Sequence, residues 1–459
     1  MSDVDVVVVG SGAAGLAAAA TAASAGARVL VAESETEIGG SSRLSDAFLM
    51  AAGTSVQRRD GISDSADAMF EYYMALNRWQ VEPGLARALC GDSAGVIEWL
   101  LGLGVAFGPV ERAGREPVWR GHLVQGNGDA LIAALTSECR RSGVDLAVGN
   151  RVDDLVVDDD GVVCGVRARG EAITADAVVL ASGGFTRSSA LIRRHLAGRM
   201  LAGDSPVTPS GIGSRGDALV MGEALGAAIV GQDRAHWVPG PLVPGQVVLV
   251  NRQGRRFIDE SADHSVRTGV AAYHGHTYWA VFDEGVRRTR PLPPFAARTS
   301  PAMLFHDGAL DERDESIAAW RLSGRLVSGA TVEEASRVAG LDGAAVAGTI
   351  RRYNDACRAG RDVSFDKDHS MLVALEQPPF HLMRVEPFML VATFCGLCID
   401  AEAAVVGIDG RRIDGLFAAG ECTGGVVGEI YAGHGNALMN GLVFGRRAGA
   451  HAAQLARGQ

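Results

Sequence analysis

Hydrophobic and polar positions follow two different grammars along this chain. Val6–Val9 is an unbroken β-branched run, the pattern of a parallel strand buried on both faces. It runs into Gly10-Ser11-Gly12-Ala13-Ala14-Gly15, then an alanine-rich helix to about Ala25, then a strand over Arg28–Ala32 ending at Glu33. The spacing predicts a helical region from Ser65 to about Gly104, amphipathic over Val96–Leu103, and a helix over Asp129–Ser142. Strands follow near Asp145–Val148 and Val152–Val157, and Asp158-Asp159-Asp160-Gly161 reads as a hairpin turn into Val162–Ala168. Another strand, Ala177–Ala181, meets Ser182-Gly183-Gly184. From Gln232 to Glu386 the texture changes: prolines gather between Pro239 and Pro301, and helical patterns appear at Val332–Ala339 and Gly343–Ala359. The C-terminal stretch returns to strand, glycine and helix, with Leu416–Ala419, Gly420 and a helix from Asn436 to about Ala453. The expected fold class is α/β. Residues 1–231 and 387–459 form a Rossmann-like domain, and 232–386 form an inserted α+β cap.

Composition narrows this picture. A length of 459 residues is about three times the ~150-residue prior for one domain, and 47% hydrophobic residues supply a sizeable core. The 60 glycines cluster in short motifs, which points to tight turns and close backbone–ligand approach instead of a linker. A net charge of −11 repels polyphosphate, so neither a nucleic-acid nor an anionic-membrane partner is expected. Lys367 is the single lysine among 43 basic residues. Seven scattered cysteines show no framework spacing, and a reduced, cytoplasmic setting is expected. The apolar N-terminal run is too short to span a bilayer and lacks a basic leader, so it reads as a strand.

The glycine motif carries the first chemistry. Gly10 permits the tight turn, Gly12 lets backbone N–H groups approach a pyrophosphate, and Gly15 lets helix pack on strand, while the helix N-terminus adds partial positive charge. Glu33 is placed to accept hydrogen bonds from ribose hydroxyls and to repel a 2′-phosphate. NAD and FAD share this fingerprint. Further glycine turns at Gly39-Gly40-Ser41-Ser42, Val178–Gly184, Ala418–Glu421 and Gly435–Leu438 favour the more elongated cofactor. Cys395-x-x-Cys398 has no second pair and is read as packing, with no metal expected.

These stretches resemble the FAD-dependent fumarate reductase/3-ketosteroid dehydrogenase flavoprotein family over essentially the whole chain. The likeness rests on the N-terminal fingerprint, Gly39–Thr54, Val178–Phe185, Ser214–Ala227, Leu249–Ser261 and Gly415–Gly428, in that order. It implies an FAD-binding domain of the glutathione-reductase type interrupted by a cap. By resemblance, non-covalent FAD is held by Gly10, Ser11, Gly12, Ala13, Ala14, Gly15, Glu33, Ser34, Gly40, Ser41, Ser42, Ala52 and Gly53. The same carry-over adds Val152, Ala181, Ser182, Gly183, Asp217, Gly420, Glu421, Asn436, Ala437 and Leu438. Ser41 and Ser42 occupy the region where some relatives place an attaching histidine. Asn436–Leu438 would offer a helix N-terminus to the negative charge of reduced flavin.

The resemblance also suggests catalytic residues. Family members carry the proton-transfer residue a few positions after R-F-x-x-E, here Arg256–Glu260, which makes it His264. Carboxylate reducers have arginine there and ketosteroid dehydrogenases tyrosine, so histidine departs from both, yet its pKa of about 6.5 suits either direction of transfer. The segment Glu429–Gly435 is similar to the ketosteroid dehydrogenase pattern Tyr-x-Gly-x-Gly. There Tyr431 and the Gly435 N–H would hold a keto oxygen; Tyr431 packing on the flavin is the alternative. Val427 replaces a histidine of the carboxylate reducers, and no arginine lies between Gly424 and Asn436. His236 is either a substrate contact or a core histidine; Arg120-Gly121-His122 either faces the pocket or forms a solvated loop. Arg267, one turn beyond His264, could serve an anionic substrate.

The resulting expectation is an FAD-dependent dehydrogenase acting on CH–CH bonds, introducing a double bond beside the carbonyl of a cyclic ketone, steroid-like or smaller. Its partners would be that small molecule and an electron acceptor the residues do not specify. Two alternatives stand beside it: an ene reductase of unsaturated carboxylic acids, and a flavin-binding subunit without chemistry.

Overall fold

A computed structural model describes residues 2–112, 116–197, 206–240, 242–262, 264–289 and 315–458. The chain divides into two compact units, Met1–His236 with Leu390–Gln459, and Trp237–Met389. The divisions fall a few residues beyond the positions 231/232 and 386/387 read from composition.

In the first unit β1 (Val4–Val9) enters α1 (Ala13–Ser24) and returns as β2 (Val29–Ala32), parallel to β1 with Val6 opposite Val29. Val6–Val9 are all buried, as a strand covered on both faces requires. Next come β3 (Phe48–Met50), α2 (Ala66–Leu76), α3 (Pro83–Gly102), β4 (Gly121–Leu123) and α4 (Asn127–Arg141). The single helical region expected over 65–104 is therefore two helices. Arg78 and Trp79 take φ of 53° and 60°, which no helix accommodates, and Pro83 restarts the helix in its first turn, where a missing N–H is harmless. β5 (Asp145–Ala147) lies beside β2, and β6 (Val152–Val157), β7 (Val163–Ala168) and β8 (Glu171–Leu180) form an antiparallel meander. β8 begins well before the expected Ala177 because its first half pairs with β7 and its second half with β1.

After α5 (Asp217–Ala224), β9 (Ala235–Gly240) leads to the second unit. This contains β10 (Val248–Val250), α6 (His264–Ala272), β11 (Tyr278–Asp283), β12 (Leu326–Gly329), α7 (Gly343–Arg358) and the long β13 (Phe380–Thr393). The sheet order is β9-β13-β11-β10, with β12 also on β13. Its interior holds an ionic cluster. The Arg256 guanidinium reaches Glu260 at 2.7 Å and Asp362 at 2.8 Å, while Lys367 Nζ lies 3.3 Å from Glu260 and donates to the Val247 carbonyl at 2.8 Å. Two cations and two carboxylates balance, which is the condition for burying such charges. The R-F-x-x-E motif thus serves the architecture of this unit. The prolines between 291 and 301 lie outside the described residues.

The chain returns through β14 (Ala404–Val406), β15 (Arg412–Ala418) and α8 (Asn436–Ala456), which extends one turn beyond the expected end. The main sheet runs β14-β15-β8-β1-β2-β5, parallel throughout except for β14 on the edge. α8 lies close along α1 because Gly441, Gly445 and Gly449, one per turn, face Ala14 and Ala18. A Cβ on Gly445 or Gly449 would run into the carbonyl oxygen of Ala14 or Ala18. This pins the N-terminus of α8 near the glycine turn of α1.

Candidate active site

At the nucleotide end, β1 breaks at Gly10 (φ 102°), where a Cβ would stand 2.6 Å from the Ala181 carbonyl oxygen. A Cβ on Gly15 would strike the Gly10 carbonyl, whereas at Gly12 it would meet nothing nearer than Ser42 Oγ at 3.5 Å. Gly12 is the N-cap of α1 with no side chain to cap the first turn, so this open face presents backbone N–H groups, and Ala13 N already donates to Ser42 Oγ at 3.1 Å. An elongated anionic cofactor fits such a cradle.

Glu33 is buried at the end of β2, and its carboxylate accepts from four donors of the chain itself. One oxygen takes Ser11 N (2.9 Å) and Ser11 Oγ (2.6 Å), the other Glu35 N (2.9 Å) and Ser34 Oγ (3.1 Å). A carboxylate has about four acceptor sites, so a ribose hydroxyl there must share one or displace the weakly held Ser34. Ser11 Oγ accepts from Gly39 N at 3.1 Å and Ser41 Oγ from Gly211 N at 3.0 Å, fixing the second glycine turn around Gly40. Ser182, between Ala181 and Gly183, accepts from Ala218 N at the start of α5. Asp217, in the first turn of α5, forms a fork with Arg151 at 2.7 and 3.1 Å, next to Val152. Ala52 N and Gly53 N face inward to Ser93 Oγ and Gln57 Oε1.

At the other end, Glu421 follows Gly420 (φ 82°). Its Oε1 accepts from Thr393 N at 2.9 Å and Thr393 Oγ1 at 3.2 Å. Desolvation outweighs these bonds and that from the Gly184 backbone, and pushes the carboxyl up to about 7. Gly435 (φ 91°) caps α8, and a Cβ there would sit 2.6 Å from Leu49 N of β3, so only glycine closes this turn. Asn436 Nδ2 donates to the hydroxyl of buried Tyr73 at 3.1 Å. The Ala437 N–H donates to the Tyr431 hydroxyl at 3.0 Å, and Leu438 follows in the same first turn. The Tyr431 ring stacks on Phe394 (5.5 Å between centroids, 10° between planes) and meets His236 at a tilt (4.4 Å, 38°). His236 is thereby an aromatic wall of the tyrosine, and His434 leans on Phe48.

Two other candidates are buried. Arg120 and His122 are buried in and beside β4, not in a solvated loop. Arg120 forks onto Asp64 at 2.7 and 2.8 Å; His122 Nδ1 meets the Arg120 carbonyl (2.9 Å) and Nε2 meets Thr54 Oγ1 (2.8 Å). A carbonyl only accepts, so Nδ1 carries the proton; burial lowers the pKa and keeps the ring neutral. Arg267 is likewise interior to the second unit, donating Nη1 to the Val243 carbonyl at 3.0 Å. His264 opens α6, and its side chain lies outside the described residues.

Tyr73, Asn77, Thr393 and Arg151 escaped the sequence reading. For the first two a signal existed: Met69, Tyr73 and Asn77 fall at i, i+4, i+8, so the apolar stripe of α2 ends in a buried amide.

The open glycine cradle, the buried carboxylate closing β2 and the two helix N-termini define a dinucleotide-fold flavoprotein. The chain belongs to the FAD binding domain family, whose model matches residues 5–438. It is 30% identical over 477 residues to fumarate reductase (cytochrome) of Shewanella frigidimarina, covering 99% of this chain and 78% of that protein. It is 28% identical over 388 residues to 4-oxocyclohex-2-ene-1-carboxylate 5-dehydrogenase of Sinomonas cyclohexanicum, across 74% of this chain and 62% of that one. The crystal structure of 3-ketosteroid-Δ4-(5α)-dehydrogenase from Rhodococcus jostii, in complex with 4-androstene-3,17-dione, superposes with a TM-score of 0.78. That pair is 28% identical and covers 98% of this chain and 96% of the other. The protein is an FAD-dependent oxidoreductase acting on carbon–carbon bonds. Among the described residues, no helix is long and apolar enough to cross a membrane.

Proposed function

We propose that this oxidoreductase is a desaturase that introduces a double bond beside the carbonyl of a cyclic ketone. The observation that carries the reading is the placement of Tyr431. Its ring packs against Phe394 and His236, and its hydroxyl oxygen accepts the Ala437 N–H at the start of a 21-residue helix. A phenol that accepts from a helix N-terminus has electron density drawn off its oxygen, which makes its O–H a stronger donor toward a keto oxygen. Gly435, forced to be glycine by β3, brings backbone to the same turn. In this reading Tyr431 and the Gly435 N–H polarise the carbonyl and stabilise enolate-like charge, and His264 takes the α-proton. FAD, when bound, supplies the two-electron oxidation of the adjacent carbon. Gly12, Ser42, Glu33, Glu421 and the first turn of α8 are the residues that would hold it.

A reductase of unsaturated acids is the second reading, favoured by the Shewanella relative. The segment from Gly424 to Asn436 contains no arginine, and Arg120 is paired with Asp64. A buried substrate carboxylate without a cation costs several kcal/mol, so the ketone is the better fit. The test is Tyr431→Phe assayed with cyclic ketones and an artificial acceptor. One transition-state donor is worth roughly 10²–10³ in rate. A loss of that size with full FAD content supports the reading; unchanged ketone turnover contradicts it.

A further inference from the structure

The segment carrying Tyr431 has almost no regular structure, yet its tyrosine must be held to a fraction of an ångström. Helix α2 and the turn after it touch that segment repeatedly. The Tyr73 hydroxyl donates to the Val426 carbonyl at 2.8 Å and accepts from Asn436 Nδ2 at 3.1 Å, so one buried phenol joins the beginning of the segment to its end. Asn77 holds the middle. Its Nδ2 donates to the Tyr73 carbonyl at 3.1 Å, which fixes the amide, and its Oδ1 accepts from Ile430 N at 3.3 Å, one residue before Tyr431. Gly428 packs against this same amide, and a Cβ there would run into Asn77 Oδ1.

The turn continues the pattern. Arg78 and Trp79 are consecutive non-glycine residues in the left-handed region, a conformation retained only where surrounding structure demands it. It brings Glu82 N to the Gly425 carbonyl at 3.1 Å and the Gln80 carbonyl to Arg234 Nη2 at 2.9 Å. Residues 425, 426, 428, 430 and 436 are thus all gripped by residues 73–82.

We infer that Tyr73 and Asn77 are positioning residues: they set the place of the Tyr431 phenol without themselves touching the reacting atoms. This rests on Tyr431 being the polarising donor, but the positioning can be measured without any turnover. The protein has six tyrosines, so 3-fluorotyrosine labelling of the FAD-loaded protein gives a six-line ¹⁹F spectrum in which Tyr431→Phe identifies one line. Asn77→Ala should shift or broaden the Tyr431 line and leave those of Tyr278 and Tyr353 in place. Tyr73→Phe, which keeps the ring and removes one oxygen, should do the same in a five-line spectrum. A misplaced group costs up to about 10²-fold in rate, so both disruptive variants should also lower kcat on cyclic ketones more than they change KM. A Tyr431 line unmoved in Asn77→Ala or Tyr73→Phe overturns the inference, and so does displacement of all lines together. If ketone turnover is absent but the Tyr431 line moves alone, the positioning stands and the ketone reading fails.

Discussion

Replacing Glu421 by glutamine should change how the FAD-free protein responds to pH. The carboxyl lies beside Thr393 and the Gly184 backbone, and burial raises it from 4.5 to about 7. Each pKa unit is about 1.4 kcal/mol of preference between protonation states, so the shift amounts to about 3 kcal/mol. For a raised carboxyl the stabilising form is the protonated one. Its contribution is complete below pH 4.5 and disappears as pH rises through 7. Glu421→Gln keeps a carbonyl oxygen for the Thr393 donors but has no charge to bury. Taking the difference between wild type and variant cancels every other titrating group, provided FAD is removed from both. Urea unfolding at intervals from pH 4.5 to 8 should show the two proteins nearly equal at the acid end, with the variant gaining by up to about 3 kcal/mol at the alkaline end. Parallel profiles across this range would refute the assignment of a neutral carboxyl at this position.

Gly15→Ala places a methyl group against the Gly10 carbonyl and Val8, and the protein should emerge from gel filtration with little or no flavin; a normal flavin ratio would mean the turn relaxes. Lys367→Met leaves Arg256 facing both Glu260 and Asp362 in the second unit, and should destabilise by about 3–5 kcal/mol in calorimetry, where an unchanged melting temperature would count against the buried cluster. His122 should titrate below the ordinary 6.5 in a histidine-resolved NMR titration, with Nδ1 carrying the proton in the neutral ring; a midpoint above 6.5 would contradict the Thr54 arrangement.

The nucleotide half of the molecule was legible because its physics is local. A buried β-branched strand, three glycines and an alanine-rich helix specify the β1–α1 unit within two dozen residues, and Gly10 and Gly15 are glycine for reasons of contact that the motif already states. The break between α2 and α3 was signalled by Pro83, but the left-handed pair at Arg78 and Trp79 has no composition cue, since neither residue type favours that region. The unit boundaries lie inside the strands β9 and β13, not in linkers, so a change of texture could only approximate them. Least visible were the contacts of Tyr73 and Asn77 with residues 426–436, which join positions more than 350 apart. Nothing in either stretch names the other. The same holds for the glycines of α8, whose one-per-turn spacing makes sense only once Ala14 and Ala18 are seen to face them.

On the proposed reading the reacting centre recognises a ring ketone through the Tyr431 hydroxyl. The most direct measurement is the visible spectrum of the FAD-loaded protein under anaerobic conditions as candidates are added. Saturated cyclic ketones, from cyclohexanone to 3-ketosteroids, should bleach the oxidised flavin in wild type and far more slowly in Tyr431→Phe. Chemically reduced protein that regains its yellow colour rapidly with fumarate or urocanate, while the oxidised protein ignores every ketone, would contradict it.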